Sequence, residues 1–326
     1  MRESLRAGRA VKRVLLFLVQ VAILAACVFY ALKFLDVSRV LASLARISVW
    51  KVGLVFLFQA SVTWFGSAFR LYSLCRREPP FATVFLAQSL GQFLNMLLPA
   101  KLGEAAKMAL LCRAMPGGFA RVTEVVFWER FADLNVLLLL ALLSGTLLGS
   151  SVLAAPLALL VAGVWGAVLA LKFWGGLVER LLGLLPWPRL AGYLLGVSSA
   201  LRERLSLGFS LGLGLLTVPL WLGGVAVHGL MLGWVFGMDL NFAQVLAVSV
   251  VGLAGMSAPA TPGSVGIYEA ALMAALTTFG QQPEESLAAA LLLHAVQLAP
   301  VLITGGWAVA HTGLKAALRL GGSRLA

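Results

Sequence analysis

The chain has 326 residues, 61% of them hydrophobic and only 12% charged, with a mean hydropathy of +0.97. Soluble domains carry about a quarter charged residues, so this composition excludes a soluble globular protein and requires lipid around much of the surface. A net charge of +12 would suggest nucleic acid in a soluble chain; in a membrane chain it marks Lys and Arg gathered in cytoplasmic loops.

Taken in order, the segment Met1–Arg13 carries five basic residues before the first apolar run. Val14–Leu35 is long enough to span, and no clean small-residue cleavage site interrupts it, so a retained helix with a cytoplasmic N-terminus is expected. Asp36–Lys51 reads as a short amphipathic segment on the outside, although Arg39, Arg46 and Lys51 run against the positive-inside rule. A second span, about Val52–Leu71, returns to Arg76 and Arg77. Arg70, near its end, reads first as a snorkelling anchor.

Phe81–Leu111 is too long for one comfortable span and is broken at Pro99–Gly103. Basic residues flank it on both sides, which implies a re-entrant hairpin entering from the cytoplasm, with the break at its tip. Such backbone is tolerated at depth only inside protein or beside a water-filled cavity. The third and fourth spans are about Val122–Leu148 and Val152–Leu171. Glu179–Leu205 is a basic amphipathic stretch, read as an interfacial helix pair.

Gly208–Phe236 is the fifth span, expected to bend near Pro219. A second broken apolar segment follows, SVVGLAGMSAPATPGSVGIYE at Ser249–Glu269. Slid by 160 positions, it echoes SLGQFLNMLLPAKLGE at Ser89–Glu104: Ser, Met, Pro, Ala and Gly coincide. Its flanks carry Asp239, Glu284 and Glu285 and no basic residue, so this hairpin is expected to enter from outside. Leu287–Ala310 is the sixth span and leads to a basic, cytoplasmic C-terminus.

The expected fold is therefore a single all-α polytopic membrane domain over residues 1–326. It has six spans and two oppositely oriented re-entrant hairpins, arranged as inverted repeats about 14–148 and 152–311. Helices broken by Gly and Pro at corresponding places in two halves point to a midplane transport site. The helix N-termini after the two tips would converge into an anion site. Lys101 adds a charge at one tip, while Glu104 and Glu269 follow in the next turns, where complementing the helix dipole is the alternative role.

Glu129, Arg130 and Asp133 form a second constellation. Glu129 and Asp133 share a helical face, and Arg130 can pair with Asp133. Ionised groups at membrane depth need partners or water. His228 and His294 each read as core histidines, and Cys27, Cys75 and Cys112 as packing residues. No zinc spacing, phosphate loop or nucleophile–His–carboxylate set is present, so no metal, no cofactor and no enzymatic activity are expected.

NMLLPAKLGE, then Glu-Arg with an Asp at Glu129, Arg130 and Asp133, then PATPGSVGIYEAAL resemble the flippase-like family that includes the transmembrane part of lysylphosphatidylglycerol synthase, the multiple peptide resistance factor. The likeness is greatest to smaller free-standing bacterial members, among them a hopanoid-locus branch. The motifs cover about Ser89–Leu272. The resemblance implies a multi-pass protein of the bacterial inner membrane that moves an anionic lipid, or a polyprenyl-linked headgroup, between leaflets. It carries to Asn95, Pro99, Gly103, Glu104, Glu129, Arg130, Asp133, Pro262, Gly263, Gly266 and Glu269, with Arg70, Lys101 and His294 as further substrate-binding candidates. His294 stands where relatives often have Arg, and the synthase's soluble aminoacyl-transferring domain is absent. The alternatives are a membrane-embedded transferase on polyprenyl-phosphate substrates and a non-catalytic subunit of a lipid-synthesis complex. An oligomer or a lipid-synthesis partner is compatible with any of these, and no nucleic acid is expected.

Overall fold

The computed structural model describes residues 32–98, 102–149, 154–257 and 261–313, with a few isolated positions between 22 and 29. The described residues are mostly helical, with no strand among them. In order they form α1 (Val37–Ala45), α2 (Val49–Leu74), α3 (Phe81–Leu97), α4 (Leu102–Ala114), α5 (Gly118–Leu147) and α6 (Ala154–Phe173). Then come α7 (Gly175–Gly183), α8 (Pro188–Arg204), α9 (Leu207–Val235), α10 (Phe242–Ser257), α11 (Ile267–Thr278) and α12 (Pro283–Thr312).

Local chemistry sets many of these boundaries. The Asp36 carboxylate caps α1 by accepting the Ser38 and Arg39 N–H groups, and the Ser206 hydroxyl caps α9 through the Phe209 N–H. Proline opens α8 and α12, where its missing N–H would have had no helical partner. Both α2 and α9 run through a π-helical stretch, at Val62–Gly66 and Leu230–Val235.

Four helices are long and apolar enough to cross a membrane: α2, α6, α9 and α12. These match four of the six expected spans. More than half of the first expected span lies outside the described residues. The third is α5, whose 30 residues make a rod about 45 Å long. Its first sixteen residues carry Arg121, Glu124, Glu129, Arg130 and Asp133, so α5 is long enough but not apolar enough. The outer surface is that of a protein in lipid: Leu159, Phe173, Leu207 and Leu215 are each more than 70% exposed, and α6 buries almost nothing of itself. The chain is a multi-pass membrane protein.

The two broken segments are both helical hairpins, α3–α4 and α10–α11. The echo in the sequence holds up to the first tip: α3 ends at Leu97 and α10 at Ser257, 160 positions on. Beyond it the register changes. Four residues join α3 to α4 and nine join α10 to α11, so the later elements correspond at a shift of 165. At that shift Leu102 falls on Ile267, and α5 falls on α12 end for end, each of 30 residues. At that shift Gly103 falls on Tyr268 and no longer on Gly263. At the same shift Glu104 falls on Glu269, and Glu129 on His294.

Gly103 itself does different work from that expected. A Cβ there would sit 2.0 Å from the Gly91 carbonyl oxygen and 2.6 Å from the Asn95 nitrogen. It is the contact that lets α4 lie against α3, and it does not face the cavity described below. A Cβ on Gly263 would make only ordinary contacts, at 3.6 Å and beyond, but its φ is +62°, so glycine serves conformation at the second tip and close approach at the first.

Apolar packing is divided between two main clusters. One gathers Leu71, Val84, Leu111, Val125 and Trp128 from α2–α5. The other gathers Val227, Met231, Tyr268, Leu272 and Leu293 from α9, α11 and α12.

Candidate functional site

A polar cavity of about 440 Å³ opens among these helices and is lined from both hairpin breaks. The end of α3 contributes Asn95, Met96 and Leu98, and the second tip contributes Thr261–Ser264. Helix α2 presents Gln59, Thr63, Ser67 and Arg70 to it, a stripe at helical spacing. Helix α3 adds Gln88 and Gln92, four apart and in line with Asn95.

Six charged side chains form a closed ring on one wall. Arg70 meets Glu129 at 3.3 Å, Glu129 meets Lys107 at 2.7 Å, and Lys107 meets Glu104 at 2.9 Å. Glu104 then meets Arg130 at 2.5 Å, Arg130 meets Asp133 at 3.4 Å, and Asp133 returns to Arg70 at 2.5 Å. Cations and carboxylates alternate throughout, three of each, so every charge has two opposite neighbours. Isolated buried charges cost several kcal/mol each, and good geometry with further hydrogen bonds offsets that cost. The further bonds are present: Trp221 Nε1 donates to Asp133 at 3.0 Å, and Asn95 Nδ2 to Glu104 at 3.0 Å.

The ring is graded in exposure. Arg70, Lys107 and Glu129 are almost wholly buried, whereas the Arg130 side chain is 52% exposed. Arg130 is thus the ring's cation most open to a ligand, held by Glu104 and Asp133 behind it.

Several expectations change here. Arg70 is not a snorkelling anchor: its guanidinium is buried and takes Asp133 in two contacts, at 2.5 and 3.2 Å. The expected Arg130–Asp133 pair is formed, but the closer partner of Asp133 is Arg70. Glu104 lies in the first turn of α4 and is also bonded across to Arg130, so dipole complementation is only part of its role. Lys107 is absent from the candidates named above, although a lone Lys three residues after Glu104 in AAKMALL is a readable signal. Pro99 and Lys101 lie outside the described residues.

Behind the second tip sits a smaller polar group. His294 Nδ1 lies 2.5 Å from Glu269 Oε1, and His294 Nε2 lies 2.8 Å from the Gly263 carbonyl oxygen. The other Glu269 oxygen accepts the Gly266 N–H at 2.7 Å, closing the turn at the start of α11, where Gly266 has a φ of +87°. Pro262 and Gly263 line the cavity, while Gly266, Glu269 and His294 form the layer that holds them. His294 is therefore more than a packed core histidine.

His228 fits that description better. Its Nδ1 donates to the Gly224 carbonyl at 2.8 Å, so its Nε2 is free to accept the Tyr268 hydroxyl at 3.2 Å. Gln297 in turn donates to Tyr268 at 2.9 Å. Among the described residues no group of three or more His, Cys, Asp or Glu side chains could hold a metal ion.

Residues 17–305 match the family model for the lysylphosphatidylglycerol synthase TM region. The chain belongs to that family. No curated protein matches it. Family membership and the apolar helices together give a membrane protein with a lipid-related function, which fits a polar cavity walled by lipid-facing helices.

Proposed function

We propose that this family member is a lipid translocase in which the cavity takes the headgroup while the acyl chains stay in the bilayer. The observation that carries this reading is the charged ring, assembled from α2, α4 and α5 and facing both hairpin tips. A lipid phosphate meets Arg130 and exchanges contacts with Glu104 and Asp133, so headgroup binding replaces internal ion pairs instead of exposing a bare charge. The buried Arg70–Glu129–Lys107 arc stays fixed and aims the open side. The anionic headgroup expected from the sequence is retained, with Arg130 as the cation that receives it.

The equal lengths of α5 and α12, and their single shift of 165 with the starts of α4 and α11, support an inverted repeat whose halves rock about the cavity. Cysteines introduced at Asp239 and Gln282 are expected to react with an impermeant thiol reagent in whole cells. Reaction at position 282 only after lysis would remove the opposed hairpins.

Function is tested with purified protein in proteoliposomes, by measuring how fast a fluorescent anionic phospholipid becomes accessible to an external quencher. The phospholipid should move at least ten times faster than in protein-free vesicles, and faster than a fluorescent diacylglycerol that lacks the phosphate. Arg130→Gln should lose most of that advantage and Arg130→Lys should keep part of it. Equal movement of both lipids by the unmodified protein would sink the headgroup site.

A further inference from the structure

The two histidines α9 and α12 bury near the second hairpin differ in what their partners demand. A carbonyl oxygen can only accept, so His294 Nε2 must carry a proton to bond the Gly263 carbonyl at 2.8 Å. Its Nδ1 faces a Glu269 carboxyl oxygen at 2.5 Å. That contact also needs a proton, either on Nδ1, giving an imidazolium beside a carboxylate, or on the carboxyl group, which then donates to a bare Nδ1. Both descriptions hold the same number of protons, one more than a neutral imidazole beside a carboxylate. His228 has no such requirement, because its neutral form satisfies both Gly224 and Tyr268.

We propose that the Glu269–His294 pair is a binding site for a single exchangeable proton whose occupancy holds the second hairpin tip against the cavity. With the proton bound, His294 grips Gly263 and Glu269 together. When it leaves, one of the two bonds must go. The bond to the carboxylate is charge-assisted and the stronger, so the imidazole keeps Nδ1–H for Glu269, and Nε2 turns a lone pair toward the Gly263 carbonyl. The tip then loses its tie to α12. That tip is already conformationally demanding, with Gly263 at φ +62°, Ser264 at +59° and Gly266 at +87°, and it lines the cavity directly.

The surroundings leave the proton to this pair. Tyr268 on α11 lays its ring 4.6 Å from that of His294, and the Cys27 thiol lies within electrostatic reach of Glu269. Helices α3 and α10 carry no ionisable residue. On α1 and α2, Arg39 is engaged by Asp36, Lys51 by the Trp234 carbonyl and Arg70 by the ring. On α12 itself the other ionisable groups stand near the ends: Glu284, Glu285 and His311. The proton site stands on this geometry alone. The further step, that proton exchange drives lipid movement, rests on the translocase reading.

The test uses the full chain in lipid nanodiscs. The sequence has only three histidines, so nitrogen-15 histidine resonances are assignable by single substitution. The His294 Nε2 resonance should change from that of a protonated to that of a bare nitrogen as the pH is raised, while the His228 resonances stay unchanged. A nitroxide on Val265→Cys, with the native cysteines replaced, should become more mobile with the same midpoint, and His294→Gln should abolish that step. A His294 Nε2 that stays protonated throughout overturns the site. Titration without a change in the tip, or a mobility step that survives His294→Gln, overturns the link between proton and tip. A protein that passes these measurements but moves no lipid leaves the proton site standing and removes the translocase reading alone.

Discussion

Helices α5 and α12 are each 30 residues long and each follows a hairpin, and their twelfth residues are Glu129 and His294. Each of these side chains reaches back to its own hairpin. Glu129 meets Lys107 on α4, and His294 meets Glu269 on α11. From that shared frame the two halves diverge. The first pairs its carboxylate with two cations, Arg70 and Lys107, within the closed ring. The second has Leu272, Ala295 and Leu298 at the positions equivalent to Lys107, Arg130 and Asp133, leaving one carboxyl and one imidazole to share a proton. One side of the cavity thus carries a ring of paired charges, and the other the proposed proton site.

The largest expected effect separates the two directly. Glu129→Gln removes the carboxylate shared by Arg70 and Lys107 and leaves two buried cations short of a partner. Breaking a buried pair in this way costs about 3–5 kcal/mol. His294→Gln at the equivalent position leaves no unpaired fixed charge and forfeits one hydrogen bond, about 1 kcal/mol. Thermal unfolding of both variants in nanodiscs measures the difference. Equal losses would mean that the second pair is held as an ion pair of the same kind, and the distinction between fixed and exchangeable halves would fall.

Much of this arrangement is legible in the sequence, and the illegible part has a physical reason. Helix existence and extent follow from apolar run lengths, and both hairpins from Pro and Gly interrupting those runs. The polar stripe Gln59, Thr63, Ser67 and Arg70 follows helical spacing, and that spacing alone is enough to mark the cavity face of α2. The ring cannot be read in the same way. Arg70 and Asp133 are 63 residues apart, and nothing local to either distinguishes a buried bidentate pair from a snorkelling Arg and an interfacial Asp. The register shift is hidden for another reason. Pro-Ala and Gly recur in both tips, so sliding one sequence on the other maximises tip matches, whereas the helices that follow are aligned by their carboxylates.

The two glycines that the sequence pairs offer the next test. At Gly103 an added methyl group would overlap the Gly91 carbonyl, a backbone atom that cannot move without parting α3 from α4. Gly103→Ala is therefore expected to destabilise the protein by at least the ~1–3 kcal/mol of a typical overpacking substitution. The loss should appear as a lower unfolding temperature with the first hairpin unprotected in hydrogen exchange. Retention of full stability would mean that the close helix contact is not what glycine supplies there.

Gly263→Ala carries the smallest effect, because only conformation opposes it. The nearest side-chain atom to an added Cβ is Met96 Cγ at 3.6 Å, an ordinary contact. The cost is that of placing a non-glycine residue at φ +62°, about 1–2 kcal/mol, borne by the tip and not by the helices. Ser264, the next residue, already adopts φ +59° and is held there by its hydroxyl bonding the Met256 carbonyl at 3.1 Å, so the turn can accommodate a side chain when other bonds support it. Unfolding temperature should therefore change little, while hydrogen exchange at Val265 and Gly266 should quicken, since the strain falls on the turn that His294 and Glu269 keep closed. Slower exchange there, or a loss of stability as large as that of Gly103→Ala, would show that the two tips use glycine for the same purpose after all, and the 160-residue register would return.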